Sequence, residues 1–167
     1  MATITQQFSP LASVPPSTGY ATMNVRNGTN FPVAALDFDA AADEAAFFFF
    51  RASLYGSGNL TIGIDWYADT ASSGDVVWGA QLAAITPNTD TQDIETDALA
   101  TANTVTDSHL GTTGQRLHRA EITVSNLDSL AADDWVALRL YRDADNGSDT
   151  MAGDASVVLV SVSYSDT

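Results

Sequence analysis

Apolar and polar residues alternate with a period of two along most of the chain, the spacing of half-buried β-strands rather than of amphipathic helices. In residues 60–66, Leu60, Ile62, Ile64 and Trp66 share one face, and Thr61, Gly63 and Asp65 share the other. Residues 75–85 turn Val76, Trp78, Ala80 and Leu82 inward, and residues 120–124 repeat the pattern around Ile122. Residues 135–142 set Val136, Leu138 and Leu140 against Trp135, Arg139 and Tyr141. Residues 157–164 set Val158, Val160, Val162 and Tyr164 against Ser161 and Ser163. Four further segments, 22–26, 31–38, 46–55 and 102–106, read as strands as well.

The punctuation agrees with short strands joined by turns. Asn27-Gly28, Gly56-Ser57-Gly58, Ser72-Ser73-Gly74-Asp75, Gly111-Thr112-Thr113-Gly114 and Asn146-Gly147 are turn signals. Ser9-Pro10 and Pro15-Pro16 interrupt any pattern in residues 1–19, which are expected to form an extended N-terminal arm ahead of one domain, 20–167. Residues 86–99 form a long acidic connection, and residues 128–134 are expected to hold one helical turn. No βαβ unit is present in the pattern. An immunoglobulin-type sandwich would show fewer strands, and the antibody-type Cys…Trp…Cys core is missing. An up-and-down barrel would want more even hairpins. The expected fold is an all-β, antiparallel two-sheet sandwich, a jelly roll of about eight strands.

At 167 residues and 45% hydrophobic content, the chain can bury a genuine core. Its folded surface should be roughly 8,000 Å². The absence of Cys excludes disulfides, thiolate metal sites and thiol nucleophiles. No run approaches the ~18 apolar residues that span a bilayer. The opening residues lack the basic start and apolar stretch of a secretory signal, so no secretory context is expected. The net charge is −15, and all six bases are Arg. Such a field disfavours nucleic acid and anionic membrane surfaces as partners. It serves solubility on one reading. On another, some of the Asp clusters hold divalent cations.

Signals for catalysis are poor. His109 and His118 lie in no hydrolase or metalloprotease frame, and His118 reads as a strand-start residue at the rim. Glycosidase chemistry needs two carboxyls in a cleft, a pairing that 21 acids would produce by chance. Residues 143–154 cluster oxygen ligands, and Asp143, Asp145 and Asp149 are the candidate calcium ligands. They fail the EF-hand frame, because Gly147 falls at position five and the frame needs its glycine at six. A polar hairpin tip is the alternative. No other cofactor is expected.

The four consecutive phenylalanines 47–50 must divide between the two faces of a strand. One pair fills the core, and Phe47 and Phe49 then need a cover: a second chain, the N-terminal arm or a loop. Phe47, Phe49 and Arg51, with Trp135, Arg139 and Tyr141, are therefore the candidate interface residues, suited to a homotrimer contact or to stacking on a sugar.

Blocks such as Leu36-Asp37-Phe38-Asp39, residues 60–66, Gly74-Asp75-Val76-Val77-Trp78, residues 118–123, residues 128–131 and Leu140-Tyr141-Arg142-Asp143 resemble those of small jelly-roll virion proteins of tailed bacteriophages. The resemblance spans about residues 31–164. It implies a non-enzymatic decoration or cement protein on the outer capsid surface of a virion, with the major capsid protein as partner. The competing reading is a carbohydrate-binding jelly roll, in a tail fibre or a lectin. A glycan-cleaving enzyme would need a deep acidic cleft.

Overall fold

The computed structural model describes residues 1–70, 73–111 and 115–166. The turns expected at 72–75 and 111–114 fall partly outside these residues. Ten strands form in chain order: β1 (Thr3–Phe8), β2 (Thr22–Asn27), β3 (Pro32–Phe38), β4 (Glu44–Arg51), β5 (Leu60–Ala68), β6 (Asp75–Ile85), β7 (Asn103–Ser108), β8 (His118–Val124), β9 (Trp135–Arg142) and β10 (Ala155–Ser165). They make two antiparallel sheets. The six-stranded sheet runs β2-β3-β10-β5-β8, with β1 also paired to β10, and the four-stranded sheet runs β4-β9-β6-β7. The accessible surface is 8259 Å², close to what the chain length implies.

The inward faces of the central strands carry the alternating apolar residues, and the two sets meet in one core, whereas Met23 and Val25 of the edge strand β2 stay exposed. Phe38, Ile62, Ile64, Trp66 and Val160 come from the larger sheet, and Phe48, Phe50, Trp78, Leu82, Leu138 and Leu140 from the smaller. Trp78 meets Phe38 edge-on at 5.2 Å and Trp66 at 6.0 Å, the T-shaped geometry that aromatic quadrupoles prefer. Between Val157 and Leu159 the β10–β5 register slips by one residue, leaving Val158 as a bulge.

All nine expected strands are present, and a tenth was not foreseen. Residues 3–8, expected as part of the arm, pair with β10 from Thr3↔Ser165 to Phe8↔Val160. Only Ile4 and Phe8 mark the inward face, because Gln6 takes the position between them. The Gln6 amide is satisfied there by donating to the Arg51 carbonyl at 2.8 Å and to the Tyr164 hydroxyl at 2.9 Å. Residues 128–134 form tight turns, not the expected helical turn. Asp128, Ser129 and Asp133 have positive φ, which a right-handed helix does not allow. Asp134 accepts from the local Ala131 N–H at 2.7 Å, and Asp128 reaches across to the Ala84 N–H of β6 at 2.9 Å.

One buried ion pair joins β9 to the long β9–β10 connection. Arg142 and Asp149 have side-chain exposures of 0% and 1%. The guanidinium donates twice to Asp149, at 2.9 and 2.7 Å, and once each to the carbonyls of Phe38, Gly153 and Met151. All five N–H groups are thereby used. Asp149 also accepts the Val77 N–H at 3.0 Å. Substituting Arg142→Met should cost ~3–5 kcal/mol, because it strands a buried carboxylate. Chemical denaturation should show the double variant Arg142→Met/Asp149→Leu to be more stable than the single one. Equal or lower stability of the double variant would refute the pairing argument.

Candidate functional site

The pleat turns one row of side chains out from the four-stranded sheet, and the cross-strand register decides which of them meet. Phe49 lies opposite Ala137, which lies opposite Ala83; Phe47 lies opposite Arg139 and then Gln81. Arg51 is opposite Trp135, and Ala45 is opposite Tyr141. Three rings are thus brought together in nearly parallel planes. Phe47 and Phe49 are 6.4 Å apart at 14°, and Phe49 and Trp135 are 5.4 Å apart at 17°. Phe49 remains 39% exposed.

These rings line a cleft of about 360 Å³, within the size range of small-ligand sites. Ala83 and Ala137 lie between larger side chains and leave it depth. One wall is Val14 and Pro15, held by mutual backbone hydrogen bonds between Val14 and Phe47 at 2.9 and 3.0 Å. The other is Ile94, Asp97 and Leu99 from the β6–β7 connection. That connection is tied down by Asp93, whose carbonyl accepts from Thr96 and Asp97 and whose side chain accepts from Glu95 at 2.9 Å. Its far end returns to the sheet through Ala100 N–H to the Leu82 carbonyl at 2.7 Å. Asp97 Oδ1 accepts from Ala98, whereas Oδ2 is enclosed and has no hydrogen-bond partner among the described residues. A buried carboxylate oxygen without a donor is costly unless something supplies one.

Beyond the cleft, the same face continues along β9 with fixed polar groups. Arg139 donates to Gln81 Oε1 at 2.6 Å, and its guanidinium lies 4.4 Å from the centre of the Tyr141 ring. The ring covers Gly79, where a Cβ would collide with it. From Trp135 to Tyr141 this strip runs about 20 Å at the usual strand rise.

The expected interface residues are therefore divided. Phe47, Phe49 and Trp135 line the cleft, Arg139 and Tyr141 extend it, and Arg51 stands apart, exposed and 3.5 Å from Asp133. The expected calcium set is broken up. Asp149 is committed to Arg142, whose guanidinium is the cation of that loop. Asp143 and Asp145 instead approach Asp43, with carboxylate oxygens within 4.8 Å of one another. Asp43, then burial, then Asp143 push the Asp145 carboxyl above its ordinary range. This cluster is largely exposed.

His118 is buried, not at a rim. It stacks on Trp66 at 4.5 Å and lies 4.6 Å from His109. Its Nε2 accepts the Leu110 N–H at 2.9 Å, and His109 Nδ1 accepts the Gly111 N–H at 3.0 Å. Burial, helped by His109 and opposed by Asp107, holds His118 below its ordinary 6.5. The folded state therefore keeps His118 neutral at pH values where the unfolded chain takes up a proton. Its contribution is complete above 6.5 and falls as the pH drops through that value. The half-buried carboxyls Glu44 and Asp154, both raised chiefly by desolvation, work the opposite way at lower pH. The melting temperature should fall between about pH 7.5 and about pH 5.5, and His118→Gln should flatten that slope. Identical slopes would refute it.

No protein-family model and no curated protein matches the sequence. The chain is similar in fold to a mannan-recognising carbohydrate-binding module, TmCBM27, with a TM-score of 0.53, 7% identity and 99% of each chain covered. A non-crystalline cellulose specific module, CBM28, follows at 0.49 and 12%, covering 90% of this chain and 84% of that one. The enzymatically active domain of the bacteriophage CBA120 tailspike protein 4 gives 0.44 and 8%, covering 95% and 19%. At such identities the likeness concerns fold, and it is that of a jelly-roll-like β-sandwich. None of these three is a capsid decoration protein, and that part of the sequence resemblance gains no support.

Proposed function

We propose that this protein is a non-catalytic carbohydrate-binding module that holds a segment of neutral glycan in the cleft over the four-stranded sheet. The observation that carries the reading is the row of parallel rings, Phe47, Phe49 and Trp135, set in one cleft. Sugar rings present apolar C–H faces to aromatic side chains and hydroxyl donors to carboxylates. Asp97 is the carboxylate on the cleft wall that such hydroxyls meet. Arg139, Gln81 and Tyr141 offer further planar polar contacts along the strip. The net charge of −15 repels anionic polysaccharides and leaves neutral ones as the fitting class.

The same lining argues against hydrolysis. Asp97 is the one carboxyl among the residues around the cleft, whereas glycoside cleavage uses a pair. The fold likeness to a mannan-recognising module agrees with a binding role.

Calorimetry against soluble mannan, a mixed-linked β-glucan and an anionic polysaccharide tests the reading. Wild type should bind at least one neutral polymer and not the anionic one. Trp135→Ala should weaken that binding roughly tenfold or more, the loss typical of a central aromatic anchor. Asp97→Asn should weaken it less and change the ranking of the neutral polymers. Failure of wild type to bind any neutral polymer, or undiminished binding by Trp135→Ala, would overturn the proposal.

A further inference from the structure

The outer face of the six-stranded sheet carries a second groove, larger than the cleft already described, at about 750 Å³. It lies where that sheet forks. β10 pairs with β3 through Ala155, Ser156 and Val157, then with β1 from Val160 onward, and the bulge at Val158 falls between the two partners. Bulges re-aim side chains, and Val158 is turned into the groove wall. The β2–β3 hairpin contributes Arg26 and Phe31, β5 contributes Tyr67, and the approach to β8 contributes Leu117.

Two features distinguish this groove from ordinary surface. Phe31 and Leu117 are 68% and 60% exposed although they flank a concavity, an arrangement that leaves apolar area without a cover. Between them Arg26 is locked in place. It donates to both Asp37 oxygens at 2.9 and 2.8 Å, and its Nε faces Asp69 at 3.3 Å. Asp37 is itself held by the Ser156 hydroxyl at 2.7 Å and by the Asn24 amide at 3.2 Å. The Arg26 guanidinium lies 5.8 Å from the centre of the Tyr67 ring. Asp37 and Asp69 together outweigh the Arg26 charge, while the guanidinium stays oriented beside an aromatic ring. Such a group recognises hydroxyl and ether oxygens and gives an anion nothing to bind.

We propose that this groove is a second, independent site for a neutral glycan, so that one module holds two glycan segments on opposite faces. The inference rests on the carbohydrate-binding reading and deepens it. Two sites facing away from each other cannot both follow one straight segment; they join different chains. The module is then a cross-linker of polysaccharide as well as a tether.

The test uses a short neutral oligosaccharide and its parent polymer. Calorimetry should give two bound oligosaccharides per wild-type chain, one for Trp135→Ala, one for Phe31→Ala and none for the double variant. Wild type should precipitate the soluble polymer, and neither single variant should. One oligosaccharide per wild-type chain, lost altogether in Trp135→Ala and retained in Phe31→Ala, would overturn the second site and leave the first intact. No binding by any form would overturn both. Because Phe31 is well exposed, its truncation should leave the melting temperature within about 1 °C, as surface changes usually do.

Discussion

The Arg142–Asp149 pair is the joint on which the two sheets depend. Its atoms reach both: the Phe38 carbonyl belongs to β3 in the larger sheet, and the Val77 N–H belongs to β6 in the smaller. Three carbonyls and a bidentate carboxylate around a positive centre make the kind of oxygen cage that holds a hard cation. Here the chain supplies the cation itself. The arrangement gives the β9–β10 connection one conformation without a metal, and it explains why an acidic loop with calcium-like composition is already satisfied. Desolvating both partners is expensive. The pair is tenable because every guanidinium N–H has an acceptor.

The strands were legible because burial on one face imposes alternation along most of them; β2, whose Met23 and Val25 stay exposed, and β4, with its four successive phenylalanines, depart from it. β1 escaped because Gln6 occupies a core-side position through hydrogen bonds that periodicity cannot register. The helical turn expected at 128–134 failed for a related reason. Asp128 and Asp134 are reasonable helix-start residues by type, yet the segment turns at positive φ, Asp134 bonding within it and Asp128 bonding to Ala84 of β6. Asp149 was misplaced because composition shows oxygen atoms and not their partners. Nothing local marks Arg142 as the residue that would claim it.

The candidate site was half legible. Four successive phenylalanines had to split, so the exposure of Phe47 and Phe49 followed from the pleat alone, and Trp135 followed from its own strand. Their meeting depended on the β4–β9 register, which no single strand contains. The N-terminal segment and a loop were among the covers the pleat called for, but which of their residues would form the walls was not readable. Val14, Pro15, Ile94, Asp97 and Leu99 come from segments without periodicity, and only the closed sandwich folds them over the sheet. The N-terminal segment, weighed beforehand as one possible cover for Phe47 and Phe49, forms only one side of the cleft and leaves Phe49 open.

The same pleat that builds the core also builds both outer faces, and that constrains what the faces can do. A residue on an outer face is positioned by a backbone already held from within, so its aromatic rings and planar polar groups are preorganised before any ligand arrives. Trp135 has Val136 behind it in the core, Tyr141 has Leu140, and Tyr67 has Trp66. Each of these outward-turned aromatics is therefore the neighbour in sequence of a buried anchor, and its direction is set by that anchor. Small residues complete the scheme: Gly79 admits the Tyr141 ring, and Ala83 and Ala137 open the cleft between larger neighbours. On the proposed carbohydrate reading, rings held in this way suit a repetitive and uncharged polymer better than a partner that must be wrapped. The acidic field works in the same direction, since it sets aside anionic competitors without contributing a contact of its own.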